Sequence, residues 1–352
     1  MTRGKLKELS MRVVSLGSGS SGNAFFVEAG PQGRTRFLVD AGLGARTILQ
    51  RLLTLEVVPS QLSAIFVTHE HSDHIQAIPM FMKYDAMPVI ADPRTLEAVK
   101  HFVEKAIQAD ARRAEARNRA SLNASLIAPS PDELSLSEAQ QAQSEVNGSV
   151  PIENETTVQK AFETGYPQTV AASWPDDLNS LFVPFPVGSQ RLFGDVEVTS
   201  FATSHDAVAP CGYLLCADRY QVCIAIDTGT PTTQMLKAMR HADLLILEAN
   251  YHRERLLSGP YPQSVKRRIM SPQGHLSNAQ ASRAVLKAWS LHSKRCLWLA
   301  HLSEINNTPQ LAIDHMRTHL QSAGVDLSLM TIAALPPDMG QIWDSTSFYT
   351  TS

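Results

Sequence analysis

The sequence predicts an α/β fold in which sheets are flanked by helices, and three observations point there. Short apolar runs of strand length recur along the chain. They alternate with segments of helical pattern. The alternation occurs twice, before and after a polar stretch at about 109–178 that is built unlike the rest. No internal sequence repeat relates the two halves.

The elements read in order. Arg12–Leu16 is a short apolar strand, running into Gly17-Ser18-Gly19-Ser20-Ser21-Gly22-Asn23, a loop of residues that tolerate positive φ. Ala24–Glu28 and Arg36–Val39 are the next strands, the second ending at Asp40-Ala41-Gly42. Ala45–Leu53 is helical in pattern. Ala64–Val67 is a buried strand that stops at Thr68, and a helix-like stretch follows at Ile75–Lys83. Chemistry in α/β proteins commonly sits at such strand ends, where side chains reach an open crevice. From about Ala109 to about Leu178 the chain is rich in Ala, Ser, Glu, Gln and Asn and poor in large apolar residues. Such a segment buries little and is expected to be partly disordered, with helical pieces near Val103–Ala120 and Pro131–Gln143. It reads as an insertion in one domain spanning 11–345. Order returns at Leu181, with strands at Asp195–Ser200, Gly212–Ala217, Gln221–Ile226, Leu244–Leu247 and Arg295–Ala300. Helices are expected around Thr232–Met239, Ser277–Leu291 and Leu311–Ala323.

Composition narrows the class without choosing a partner. The chain has 352 residues, 43% of them hydrophobic, enough to bury a proper core. A formal charge of −3 means that contact with nucleic acid must come from a local patch. The cysteines (Cys211, Cys216, Cys223, Cys296) form no Cys-x-x-Cys pair and read as buried thiols of a reducing cytosol. The basic N-terminus lacks an apolar core of signal-peptide length, and no run of about 18 apolar residues occurs. A soluble, cytoplasmic protein without a membrane span is expected.

The chemistry concentrates at Thr68-His69-Glu70-His71-Ser72-Asp73-His74. Three of the chain's 12 histidines and two carboxylates fall within seven residues. Neutral imidazole is the commonest nitrogen ligand of metals, and carboxylates add hard oxygen ligands. A loop between a strand and a helix can turn His69 and His71 one way and Asp73 and His74 another, supplying two adjacent ions.

This heptapeptide resembles the His-x-His-x-Asp-His signature of the metallo-β-lactamase superfamily, whose fold is an αββα sandwich of two mixed sheets flanked by helices. Further motifs resemble that family in order. Val39-Asp40-Ala41-Gly42 resembles its early strand-end motif, with Asp40 supporting the ligand loop. Ser204-His205-Asp206, ahead of Gly212-Tyr213, implies His205 as a ligand. Ala225-Ile226-Asp227-Thr228-Gly229 implies Asp227 as a bridging ligand, and Leu299-Ala300-His301-Leu302-Ser303 implies His301. Taken singly, Asp40 and Asp227 read rather as turn residues, and His205 and His301 equally as ordinary loop or buried histidines. Their combined order favours the ligand reading.

Within the superfamily, Asp227 stands where common zinc β-lactamases have Cys. Thr203-Ser204-His205-Asp206 departs from the glyoxalase-type motif. The interval from Asp227 to His301 is too short for a β-CASP domain. The His205…Gly212-Tyr213 pattern resembles the nuclease and phosphodiesterase branches, including the tRNA 3′-processing endonuclease. A closer resemblance is to the WalJ (YycJ-like) family. It rests on the Gly17–Asn23 loop, the His69–His74 motif, Leu247-Glu248-Ala249-Asn250, Gly259-Pro260-Tyr261-Pro262, Gly274-His275-Leu276-Ser277-Asn278 and Asn306-Asn307-Thr308-Pro309.

That resemblance implies a 5′-to-3′ exonuclease on double-stranded DNA, with duplex ends as partner and two divalent ions, Zn²⁺ or Mn²⁺, as cofactors. His69, His71, His205 and Asp227 would hold one ion, and Asp73, His74, Asp227 and His301 the other. A hydroxide bridging the ions would attack phosphorus. Asp73 and His275 would be catalytic, His275 protonating the leaving oxygen or holding the phosphate; a structural histidine ahead of the next helix is the plainer reading of His275. Arg253, Arg255, Lys266, Arg267 and Arg268, with Tyr251 and Tyr261 interleaved, could neutralise phosphates and stack on bases, or form an ordinary solvated helix face. Ser20 and Asn23 could offer a phosphate nest, or belong to a plain hairpin turn. Ser20, Asn23, Tyr261, Lys266, Arg267 and Arg268 are therefore the expected substrate contacts. An RNA-processing endonuclease or small-molecule phosphodiesterase is the alternative enzyme. A redox protein or a metal-bound nucleic-acid-binding protein is the non-hydrolytic one.

Overall fold

The computed structural model describes residues 10–127, 174–290 and 293–348. The first half runs β1 (Met11–Gly17), β2 (Ala24–Ala29), β3 (Thr35–Val39), α1 (Ala45–Thr54), β4 (Ile65–Phe66), α2 (Ser72–Ile75), α3 (Ile78–Asp85), β5 (Val89–Ala91) and α4 (Pro93–Ile127). The chain resumes with β6 (Phe182–Pro184), β7 (Gln190–Phe193), β8 (Val196–Ala202), β9 (Cys211–Ala217), β10 (Tyr220–Ala225), α5 (Thr233–Met239) and β11 (Leu244–Glu248). It continues through α6 (Arg253–Ser258), α7 (Gln263–Ile269), α8 (Asn278–Ala288), β12 (Arg295–Ala300), α9 (Pro309–Ser322), β13 (Met330–Ala334), β14 (Ile342–Asp344) and α10 (Ser345–Phe348).

The strands form two seven-stranded mixed sheets, ordered β14-β1-β2-β3-β4-β5-β6 and β13-β12-β11-β10-β9-β8-β7. In each, antiparallel pairs give way to parallel ones: β3 to β6 are parallel in the first, β10 to β13 in the second. Parallel neighbours need crossovers, and α1, α5 and α9 supply them. The core lies between the sheets, where Phe25, Phe37 and Phe66 face Tyr213, Ile224 and Trp298. Phe66 and Tyr213 meet edge to face at 5.5 Å, and the Tyr213 hydroxyl donates to the Val67 carbonyl at 2.6 Å, just below the histidine-rich loop. A second core, with Leu245, Leu247, Leu297 and Leu299, packs under Met235, Val285, Met316 and Leu320 of α5, α8 and α9. This is the predicted fold class.

Of the five strands without a mark in the sequence (β5, β6, β7, β13 and β14), four are sheet edges. β14 and β6 are the edges of one sheet, β13 and β7 those of the other, and β5 is three residues long. Edge strands lack two-sided burial, and β7 (Gln190–Phe193) is largely exposed, so neither alternation nor an apolar run marks them. The helix expected at Ile75–Lys83 is two helices, with Pro79 in the first turn of α3, where its missing N–H costs nothing.

By internal contacts the chain divides into two units, Met1–His101 with Trp174–Ser352, and Phe102–Ser173. Helix α4 extends the piece expected at Val103–Ala120 in both directions. Asp92 caps its start by accepting the Arg94 N–H at 3.0 Å. The Ala, Arg, Glu and Gln that leave this stretch poor in large apolar residues are also good helix formers. The helix expected at Pro131–Gln143 lies outside the described residues. Among the described residues no helix is long and apolar enough to cross a membrane, and the four cysteines are free.

Candidate metal centre

The site residues leave strand ends at one rim of the sandwich. Asp40 follows β3, Thr68–His74 follow β4, His205 lies between β8 and β9, Asp227 follows β10, Glu248 ends β11, and His301 follows β12. Asp40, Asp227 and His301 all have left-handed backbones, with φ of 60, 53 and 52°. Non-glycine residues there carry strain on the order of 1–3 kcal/mol each, which surrounding structure must offset. The local offset is visible: the Ser18 hydroxyl accepts the His301 N–H at 2.9 Å, and the Asp40 N–H donates to the Phe66 carbonyl at 2.8 Å.

The histidine-rich loop is held by its backbone. The Asp73 carbonyl accepts the Asn23 N–H at 2.9 Å, and the His74 carbonyl accepts the Ala41 N–H at 2.8 Å. Gly42 lies so close that a Cβ there would stand 1.5 Å from the Asp73 oxygen. Asp40, wholly buried, accepts the Thr68 N–H at 2.8 Å and approaches His74 Nδ1 at 2.8 Å. That contact puts the His74 proton on Nδ1 and turns Nε2 inward. The Gly274 carbonyl does the same for His205 Nδ1 at 3.0 Å.

Three groups of ligand-type atoms converge among the described residues: His69, His71 and His205; Asp73, His74, Asp227 and His301; and Asp227, Glu248, His275 and His301. In the first, His71 Nδ1 lies 3.1 Å from His69 Nε2 and 3.3 Å from His205 Nε2. Asp227 stands between the groups. Its Oδ2 is 2.6 Å from His74 Nε2 and 3.5 Å from His69 Nε2, while Oδ1 faces His301 Nδ1 and lies 3.4 Å from His275 Nδ1. None of these approaches has hydrogen-bond geometry. Both Asp227 oxygens and His301 Nδ1 are buried without a hydrogen-bond partner among the described residues. Orphaned buried acceptors and imidazole nitrogens pointing at one another are costly unless a cation lies among them. The residues thus fit divalent metal.

Electrostatics agree. Burial holds His69 well below the usual imidazole range and lowers His71, keeping both neutral, the form that binds metal. Burial would raise Asp227, but His301 and His74 outweigh it and hold the carboxyl well below its ordinary value. His74 runs the other way: burial lowers it, and the Asp40 and Asp227 carboxylates raise it well above its ordinary value.

A cavity of about 260 Å³ opens on this cluster, lined by Ser20, Asp73, Asn250, Tyr261, Arg268 and His275 among others. Two expected substrate contacts are not available to it. Lys266 is buried, its ammonium donating to the Leu257 and Gly259 carbonyls at 2.7 Å each, because a buried cation must be satisfied by the fold. Asn23 is also buried, closing its own loop through Ser18 and Gly19. Tyr251 is buried as well, at the foot of α6. Arg267 is exposed outside the lining, and Arg268 bonds Asp206 at 2.5 Å while remaining 62% exposed. Glu248 was missed from the site. It is fully buried, meets His275 Nδ1 at 2.6 Å, and accepts the Thr228 and Leu276 N–H groups. A charged residue ending the otherwise apolar run Leu244–Leu247 was the available signal.

Comparison with known proteins agrees with this geometry. The chain is 29% identical to "Exodeoxyribonuclease WalJ" of Streptococcus pneumoniae serotype 2 (strain D39) over 324 residues, 92% of this chain and 93% of that relative. It is 28% identical to "Exodeoxyribonuclease YycJ" of Bacillus anthracis over 84% of each chain. The metallo-beta-lactamase fold protein YhfI of Bacillus subtilis shares the fold at a TM-score of 0.52 and 15% identity, covering 96% of this chain and 99% of that one. The description of the Metallo-beta-lactamase superfamily matches residues 17–236. The chain belongs to the metallo-beta-lactamase superfamily and is a metal-dependent hydrolase.

Proposed function

We propose that this hydrolase is a 5′-to-3′ exonuclease on double-stranded DNA that uses two divalent ions. The observation that carries the reading is Asp227, standing between two groups of ligand atoms with both oxygens unsatisfied. One carboxylate shared in this way suits a pair of ions, and paired ions suit phosphodiester hydrolysis. The names of the relatives supply the substrate class, since both are described as exodeoxyribonucleases.

His69, His71 and His205 would hold one ion, Asp73, His74 and His301 the other, with Asp227 between them. Divalent ions there would supply Lewis acidity toward a phosphoryl oxygen and lower the pKa of water. The chain's own residues do the rest. Asp40 and the Gly274 carbonyl fix the ring nitrogens that face inward. Asp73, 25% exposed, lines the cavity. His275 donates Nδ1–H to Glu248, so its other ring nitrogen serves the cavity and protonates the leaving oxygen. Arg268, at the mouth, takes a backbone phosphate in place of Asp206.

The test is direct. Metal content is measured on purified protein, which is then offered 5′-labelled duplex DNA, precursor tRNA and a chromogenic phosphodiester with Mn²⁺ or Zn²⁺. Digestion of duplex DNA from its 5′ ends by wild type, and not by Asp73→Ala, is expected. Preference for precursor tRNA moves the substrate class to RNA, and no cleavage of any phosphodiester overturns the reading.

A further inference from the structure

The mouth of the cavity carries an unusual surface. Seven large apolar side chains are exposed among the described residues; Val265 lines the cavity, and Val208, Leu257 and Ile305 each stand within four residues of a lining residue, His205, Tyr261 and Ser303 respectively. Scattered exposed apolar residues need no explanation; a concentration at one opening does. Three of the four are brought together by the fold. The Lys266 ammonium, next to Val265, anchors the Leu257 carbonyl, and the Arg255 guanidinium donates to the Ile305 carbonyl at 3.1 Å. Val265 lines the cavity itself. Exposed Arg253, Arg255, Arg267 and Arg268 share this arm.

An apolar surface flanked by arginines matches the end of a duplex, where a flat base pair is flanked by two anionic backbones. The cavity holds about 260 Å³, below the ~300–1,000 Å³ of common small-molecule pockets. That suits roughly one nucleotide. A duplex, whose major groove alone is ~12 Å wide, does not enter. A cavity of this size suits one unpaired strand end better than a paired one.

We propose that Leu257, Val265 and Ile305 receive the terminal base pair of a duplex and wedge it open, so that one strand alone enters the cavity. This rests on the nuclease reading above. Apolar side chains elsewhere unstack base steps in the same way, exchanging base–base for base–protein contact. The arginines hold the two backbones apart while the wedge acts.

The test compares blunt duplex with the same duplex bearing two mismatched, already frayed terminal pairs. In the variant Leu257→Ser/Ile305→Ser, the ratio of frayed to blunt kcat/KM is expected to rise about tenfold over wild type, because only the blunt end needs the wedge. Ile305→Leu, which keeps the apolar surface, is expected to retain the wild-type ratio. A 2-aminopurine in the terminal pair is expected to brighten when wild type binds in EDTA, and less so with the double variant. An unchanged ratio, or a terminal pair that stays dim with wild type, overturns the wedge while leaving the nuclease reading intact. Wild type that cuts neither duplex removes the nuclease reading and the wedge with it.

Discussion

Glu248 Oε1 and His275 Nδ1 lie 2.6 Å apart, joining the end of β11 to the loop before α8 at the edge of the metal cluster. Glu248 is fully buried, and its other oxygen accepts the Thr228 and Leu276 N–H groups, so it has no freedom to turn away. Burial alone would depress His275; Glu248 and Asp227 reverse that and raise it to about 10. In the metal-free protein these two carboxylates favour the protonated imidazole, and Glu248 lies outside the ligand set proposed above. His275→Ala is expected to lose about 10²–10⁴-fold in kcat/KM, the range of a missing general acid. The sign of the pH effect follows. A reaction that needs the protonated donor slows as pH rises through the donor pKa, and Glu248→Gln lowers that pKa. The alkaline limb of kcat/KM against pH should move to lower pH in Glu248→Gln. A uniform loss at every pH would assign Glu248 a purely structural role.

Asp227 gives a test that does not need substrate. Its buried, unpartnered oxygens and the facing nitrogen of His301 make the metal-free fold strained at this point. Ligands that bind only the folded state stabilise it by about 2.7 kcal/mol at a hundred times Kd. Zn²⁺ or Mn²⁺ is expected to raise the Tm of wild type. Asp227→Asn should lower metal content by mass spectrometry and shrink that rise. The metal-free Asp227→Asn protein should melt below metal-free wild type, because the buried His74 loses one of the carboxylates that favour its charged form.

Lys266 and its neighbours separate a structural cation from surface ones. Arg267→Ala and Arg268→Ala are each expected to reduce the salt dependence of duplex binding by about one ion, read by anisotropy in EDTA over a salt series. Lys266→Met should leave that slope unchanged. Its cost is to the fold: two carbonyls lose their donor, for about 1–3 kcal/mol in chemical unfolding.

Asp92 predicts part of the acid response of the fold. It accepts the Val187 N–H at 3.0 Å, the Arg94 N–H and the Arg94 side chain. Burial raises its pKa, but Arg94 and the Val187 N–H outweigh this and leave it below the ordinary carboxylate value. Its contribution is therefore present above about pH 4 and fades as pH falls through the lower folded value. Asp92→Asn should destabilise the protein near neutrality by about 1–3 kcal/mol and flatten the decline of Tm below about pH 4. An equally steep decline in the variant would contradict this role.

Much of the molecule was legible in the chain because its signals are local. Three histidines and two carboxylates within seven residues declare a metal loop without any knowledge of their neighbours. The central strands β1 to β4 and β9 to β12 are largely apolar runs because they are buried, and β8 (Val196–Ala202) alternates because one face is. The edge strands, paired on one side only, carry no such mark. What tertiary structure alone decided was the fate of each polar side chain. Lys266, Arg267 and Arg268 are consecutive cations, yet a helix turns each in a different direction, so one is buried in carbonyls and its neighbours meet solvent. Glu248 ends a strand as a charge among leucines, and only the parallel pairing of β10, β11 and β12 puts it beside Asp227 and His301. Sequence determines which groups are present and how strongly each resists burial. Long-range pairing determines which of them meet.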